Sequence, residues 1–409
     1  MKFVADFHIH SKYSRATSPD MDIEHIDCWA SKKGVQLVGT GDFTHHFWLS
    51  ELKKHFKQVS FGIYKYGKTR FILTTEVNNF WPVGGRVKKV HNIIFAPSFD
   101  VVDLINNELT KYGSLISDGR PILQLDAGRL VDLVMNISSD CMVVPAHVWT
   151  PHFSVFGSNS GFCSLEEAYG DNAKYISAIE TGLSSDPEMN RRLSKLDKIT
   201  LISNSDAHSP SKIGREANVF DCGLDYKEII AAIKSKDRNK FLYTIEFFPE
   251  EGKYYFDGHR NCNVCWHPDE TKKNIGICPK CRRPVTVGVM NRIMQLADRG
   301  QDSPPELTIP FKKLVPLEEI ISDAIDKSAG TVAVAVQYEK LIKAFGTEFA
   351  VLLDISHKVL ESETLPRIAD AIMMVRKGLV KIVPGYDGEY GKVKILDNGD
   401  DKLDQMGLF

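Results

Sequence analysis

Seven short apolar runs constrain this chain more than any other feature: FVADFHIH, VQLVGTGD, RFILTTEV, VHNIIFA, CMVVPAH, YISAIETG and ITLISNSDAH, all within residues 1–245. Runs of that length, apolar almost throughout, suit strands buried on both faces. Stretches with helical spacing lie between several of them, for example residues 21–31 and 221–234. Strand then helix, repeated, is the pattern of parallel sheets and of α/β barrels, so a barrel is predicted over residues 1–245.

Almost every run ends in a side chain that ligates metals. His8 and His10 close the first, Asp42 the second, Glu76 the third, His147 the fifth, and Asp206 with His208 the last, whereas His91 begins the fourth. In a parallel barrel the C-terminal strand ends share one mouth, so residues two hundred positions apart converge there. In His8-x-His10 and Asp206-x-His208 the even spacing puts both side chains on one face of an extended strand. Imidazoles with carboxylates suit Zn2+, Mn2+ or Fe2+, with Mg2+ also open, and a carboxylate such as Glu76 can bridge two ions.

The motifs HIHSKYS, TGD, TTE, PAH and SDAH resemble those of the PHP (polymerase and histidinol phosphatase) phosphoesterase superfamily over residues 1 to 245. The resemblance implies an α/β fold, a distorted (β/α)7 barrel with two or three divalent ions, that hydrolyses phosphoesters with His8, His10, Glu76 and Asp206 at its catalytic centre. Two positions depart from the family pattern: Ser14-Arg15 stands where many members carry an acidic or His ligand, and Asp42-Phe43 where Asp-His is usual. His45 or His46 is the candidate replacement, and Glu180 is either an extra ligand or a support behind the ligands.

The second motif is Cys262-x2-Cys265 followed by Cys278-x2-Cys281, within residues 246–288. Two such knuckles close a tetrahedral thiolate site, so one structural Zn2+ is expected on these four cysteines. The other four of the eight cysteines are scattered singly, which favours a reduced compartment over a disulfide framework. Arg260, Lys272, Lys273, Lys280, Arg282 and Arg283 make the module basic, with Trp266 and His267 available for stacking on bases. The module either touches nucleic acid or only packs the larger units together. The formal charge of −2 gives no global pull toward DNA, so such affinity would have to be local.

Residues 289–396 read as a small, mostly α-helical domain, expected to bind DNA together with the cysteine module, and residues 397–409 as a flexible tail. With 43% hydrophobic and 25% charged residues, and no stretch near the roughly 20 apolar residues a bilayer span needs, no membrane association is expected. The N-terminus enters a strand pattern at once, without signal-peptide features, so a cytoplasmic, nucleoid-associated protein is expected.

A PHP barrel, a four-Cys zinc ribbon and a helical C-terminal unit together resemble the endonuclease Q family across nearly the whole chain. The resemblance implies a DNA repair endonuclease that cuts double-stranded DNA 5′ to deaminated bases (uracil, hypoxanthine, xanthine) and abasic sites. Reading such a base requires extruding it into a pocket. Asn78, Asn79, Phe80, Trp81, Gly84 and Gly85 are candidate pocket residues or an ordinary aromatic turn. Arg15, Arg86, Lys88 and Lys89, with Lys272, Lys273, Arg282 and Arg283 of the ribbon, are candidate phosphate contacts or plain surface. The last five residues, including Gln405, Leu408 and Phe409, resemble the peptide by which bacterial repair proteins dock on the β sliding clamp. Two other readings stay open: a PHP phosphatase or exonuclease acting on small phosphoesters, and a non-catalytic DNA or clamp adaptor.

Overall fold

The computed structural model describes residues 1–159, 161–300, 305 and 308–396. The clamp-like peptide with Gln405, Leu408 and Phe409 therefore lies outside the described residues. All seven apolar runs carry strands, and they join into a closed ring. Lys2–Asp6, Leu37–Gly39 and Thr69–Val83 lie side by side in parallel. Arg86–Ala96 returns antiparallel along Thr69–Val83 and pairs on its other edge, again antiparallel, with Met142–Pro145. Ala178–Glu180 and Thr200–Ile202 are parallel to each other. The amide of Val148 donates to Glu180 (3.2 Å) and that of His10 to Ala207 (2.9 Å), which links this pair to its neighbours on both sides.

Alternate residues of the seven strands, among them Phe3, Leu37, Ile72, Phe95, Val144, Ala178 and Ile202, form one buried cluster that fills the ring. Their opposite faces are covered by helices such as Ile23–Lys33, Phe99–Leu109 and Ala127–Ile137, which explains why these strands read as apolar almost throughout. These helices start where the sequence supplies caps: Asp22, Ser98 and Asp126 each accept a hydrogen bond from a first-turn amide.

One strand departs from the all-parallel expectation. Gly84 and Gly85, at φ 56° and 76°, form the tight turn that reverses the chain into Arg86–Ala96. The register pairs Asn78 with His91 and Asn92 with Pro145, so the first half of the reversed strand lies level with the C-terminal ends of its neighbours. That is why His91 begins its run where the other candidates close theirs.

The ribbon is built on the antiparallel pair Asp257–His259 and Val264–Trp266. Helices Leu317–Ile325, Val332–Phe345, His357–Glu363 and Pro366–Arg376 make the C-terminal unit, and the hairpin of Lys381–Val383 with Lys392–Lys394 follows. This unit is tied to the barrel. Strand Phe311–Lys313 extends the barrel sheet beside Phe241–Glu246, and Lys33 meets Glu348 in a buried ion pair at 2.6 Å. Among the described residues no helix is long and apolar enough to cross a membrane.

Candidate metal centre

Glu76 is the hub. Its carboxylate is buried at the mouth of the ring, and its two oxygens face different histidine pairs. Oε1 lies 2.7 Å from His91 Nδ1 and 3.0 Å from His147 Nε2. Oε2 lies 3.4 Å from His10 Nε2 and 3.7 Å from His8 Nε2. Asp206 Oδ1 reaches the same two rings, at 3.0 Å from His10 and 3.6 Å from His8. Three sets of side chains therefore offer ion-sized ligand groups: His8, His10 and Glu76; His10, Asp206 and His208; and Glu76, His91 and His147. The first two sets have His10 in common, and the first and third have Glu76.

The ligand candidates are backed by a second layer of acids. Glu180 Oε1 lies 3.0 Å from His8 Nδ1, and its Oε2 accepts from the His147 amide at 2.7 Å. Asp42 Oδ1 lies 3.0 Å from His10 Nδ1, while Oδ2 accepts from the amide and hydroxyl of Ser11 and from the hydroxyl of Ser14. An acid on the outer ring nitrogen fixes the tautomer and aims the other nitrogen at the ion. Asp42, expected among the ligands, lies behind His10, with both of its oxygens in hydrogen bonds. Ser14 occupies the departed ligand position as a partner of Asp42. Phe43 is buried in the core. Neither His45 nor His46 replaces the missing imidazole: His45 Nε2 bonds the Ile116 carbonyl at 3.1 Å, and His46 is exposed at the start of a helix.

Backbone strain and charge mark the same place. Asp42, His147 and Asp206 take φ of 50°, 30° and 48°, a region that costs a non-glycine residue about 1–3 kcal/mol and persists where the surroundings hold it. Asp6, buried in the first strand, accepts from the amides of Ser205 and Gly214 and so clamps the loop carrying Asp206 and His208. Burial disfavours charge on His8, yet Glu180, Asp206 and Glu76 outweigh it and hold its pKa well above the usual value; His10 is raised likewise against burial, chiefly by Asp42. Burial pushes His91 down to about 4. Burial also opposes ionisation of Glu76, but His91, Arg120 and His8 pull it well below the usual range. Buried His8 Nε2, which faces Glu76 and Asp206, has no hydrogen-bond partner, which fits a donor atom arranged for a cation.

Arg120 escaped sequence reasoning. Its Nη1 lies 3.2 Å from Glu76 Oε2, with the side chain partly open to solvent. It belongs to none of the seven runs, so only the spatial neighbourhood of Glu76 could have found it. Arg15 is highly exposed, 3.5 Å from Asp118. Arg86 is exposed at the hairpin, while Lys88 donates to the Gly161 carbonyl at 2.7 Å and lies over the Phe162 ring. Lys89 lies over Phe80 and Phe153. Of the candidate pocket residues, Gly84 and Gly85 form the turn, Trp81 stacks on Phe162, and Asn79 is bonded at both ends to Leu125 and Asn92. Asn78 keeps a buried carbonyl oxygen without a partner. Lys272, Lys273, Arg282 and Arg283 are all exposed on the ribbon, whereas Trp266 packs beside its cysteines and His267 caps helix Pro268–Lys273.

In the ribbon the structure gathers Cys262, Cys278 and Cys281, with donor atoms within 4.8 Å of one another, but the fourth member of that group is His259. Cys265, the fourth thiolate expected, is not among them. Burial would raise the pKa of Cys278, but the amides of Cys281 and Lys280 outweigh it and lower it, as suits a thiolate ligand.

A family model described as the MJ0043 C-terminal domain matches residues 316–379. The chain is 34% identical over 253 residues to the uncharacterized protein MJ0043 of Methanocaldococcus jannaschii, which is 60% of this chain; it spans 31% of that protein's length. It superposes on the crystal structure of the lesion-specific endonuclease PfuEndoQ from Pyrococcus furiosus with a TM-score of 0.88 and 33% identity, covering 97% of this chain and 96% of that one. A second solved structure, endonuclease Q in complex with a 27-mer duplex substrate with an abasic lesion at the active site, gives a TM-score of 0.86 and 33% identity over 97% of each chain.

Proposed function

The chain belongs to the endonuclease Q family, and from that premise we propose that it is a DNA repair endonuclease that nicks duplex DNA 5′ to deaminated bases and abasic sites at a two-ion centre. The observation that carries the reading is Glu76 set between two histidine pairs. His8, His10 and Glu76, with Asp206 and His208 beside His10, would hold one ion, and Glu76, His91 and His147 the other. Two divalent ions there would supply the attacking nucleophile near neutral pH and offset the negative charge that makes phosphodiesters resist attack. Arg120, partly open beside Glu76, is placed to bind the phosphate and hold it in line. Asp42 and Glu180 keep His10 and His8 in register.

The test is a panel of duplexes carrying uracil, hypoxanthine, an abasic site or no lesion, together with an aryl phosphate, each with added Mn2+ or Mg2+. Selective nicking of the lesion duplexes is expected. Turnover of the aryl phosphate without nicking would instead place the enzyme among small-molecule phosphoesterases.

The charges also set a pH dependence. His8, His10 and His147 have raised pKa values and hold protons in the ion-free site, while a ligating imidazole must be neutral. Ion uptake should therefore release protons, and affinity should rise with pH until these histidines are neutral. His91, near 4, and the already ionised Glu76 and Asp206 contribute none between pH 6 and 8. Calorimetry of Mn2+ binding in two buffers of different ionisation enthalpy checks this. Identical apparent enthalpies in the two would contradict it.

A further inference from the structure

We propose that the ribbon's metal ion is held by His259, Cys262, Cys278 and Cys281, three thiolates and one imidazole, and that Cys265 stays a free thiol on the opposite face of the ribbon strand. The register decides this. His259 is paired with Val264 and Gly258 with Cys265. Paired residues on antiparallel strands share a face, and successive residues alternate. Val264 packs with Cys278, Val285, Cys262 and Cys281, so the face it shares with His259 is the cysteine face.

Gly258 fixes the other face independently. A Cβ added there would meet the Tyr386 ring at 2.4 Å, so Tyr386 covers the side to which Cys265 belongs. A CxxC pair whose second cysteine sits inside a regular strand cannot turn both thiols inward without breaking the pairing. His259 makes good the loss. Its Nε2 lies 3.8 Å from Cys281 Sγ, and its Nδ1 is buried without a hydrogen-bond partner, so among the described residues that thiol is its ring's one hydrogen-bond partner. An imidazole so placed is explained by a shared cation. The chemistry favours Zn2+, and replacing one thiolate by an imidazole leaves the site with one negative charge instead of two. That lessens repulsion of phosphate beside the exposed Lys280, Arg282 and Arg283.

The experiment uses the full-length protein with the barrel stripped of labile ions and reloaded with Mg2+. Zinc content is measured by mass spectrometry for Cys265→Ser and His259→Gln under chelator challenge. Cys265→Ser should keep its zinc equivalent, while His259→Gln should lose it faster than wild type by more than the roughly 100-fold that removal of an outer partner of a ligand can reach. Any other combination overturns the assignment. A measurement on the wild type does not depend on how the variants fold. With Co2+ in the ribbon, the thiolate-to-cobalt absorption should have the intensity of three thiolates, and an intensity of four overturns the proposal.

Discussion

Glu76→Gln should slow strand nicking by roughly a thousandfold or more while leaving affinity for duplex DNA nearly unchanged. Glutamine keeps the shape but loses the charge, and Glu76 is the group both ion positions share. Metal-ion catalysis supplies several kcal/mol of transition-state stabilisation, and about 4 kcal/mol corresponds to about a thousandfold in rate. The substitution also removes the counter-charge that helps hold His8, His10 and Arg120 in place. DNA affinity should survive because Glu76 is buried, while exposed cations such as Arg86, Lys272 and Arg282 are the proposed phosphate contacts. Single-turnover nicking of an abasic duplex and fluorescence anisotropy of the same duplex separate the two. A loss of binding equal to the loss of cleavage would show that Glu76 supports the fold of the mouth and not its chemistry.

Lys33→Ala should destabilise the docked C-terminal unit by about 3–5 kcal/mol, the scale for breaking a buried pair by removing one partner. Lys33 lies on the barrel helix Ile23–Lys33 and Glu348 in the C-terminal unit, each about 5% exposed. Glu348 also accepts from the Leu317 amide at 3.0 Å and from the Tyr338 hydroxyl at 2.8 Å, so it cannot swing to solvent without giving up both. Removing the lysine strands that charge. The double substitution Lys33→Met with Glu348→Gln should recover much of the loss, because the desolvation cost disappears with the charges. Urea unfolding monitored by a probe in the C-terminal unit reads the effect. A loss below about 1 kcal/mol, the value of an exposed pair, would mean that water reaches the interface.

Much of the barrel was legible because each strand, buried on both faces, must be apolar along its length. The helical character of the C-terminal unit was legible because Leu317–Ile325, Val332–Phe345 and Pro366–Arg376 each bury one apolar face at helical spacing. The candidate ligands were legible for a different reason: a polar residue ending an apolar run carries a desolvation cost that only a partner offsets. That argument identifies which residues need a partner without saying which partner they have. Asp42 and His10 look alike on these grounds, yet one supports the other.

The sequence by itself determined the seven strands of the ring, most of the side chains that gather at its mouth, and the existence of a cysteine module. Tertiary structure alone decided direction and side: that Arg86–Ala96 runs backwards and so brings His91 to the mouth, that Arg120 reaches Glu76, and that Cys265 turns away while His259 turns in. The division has a physical cause. Burial and propensity act on each residue through its own chemistry, whereas strand direction, register and facing are properties of pairs that only the closed chain brings together.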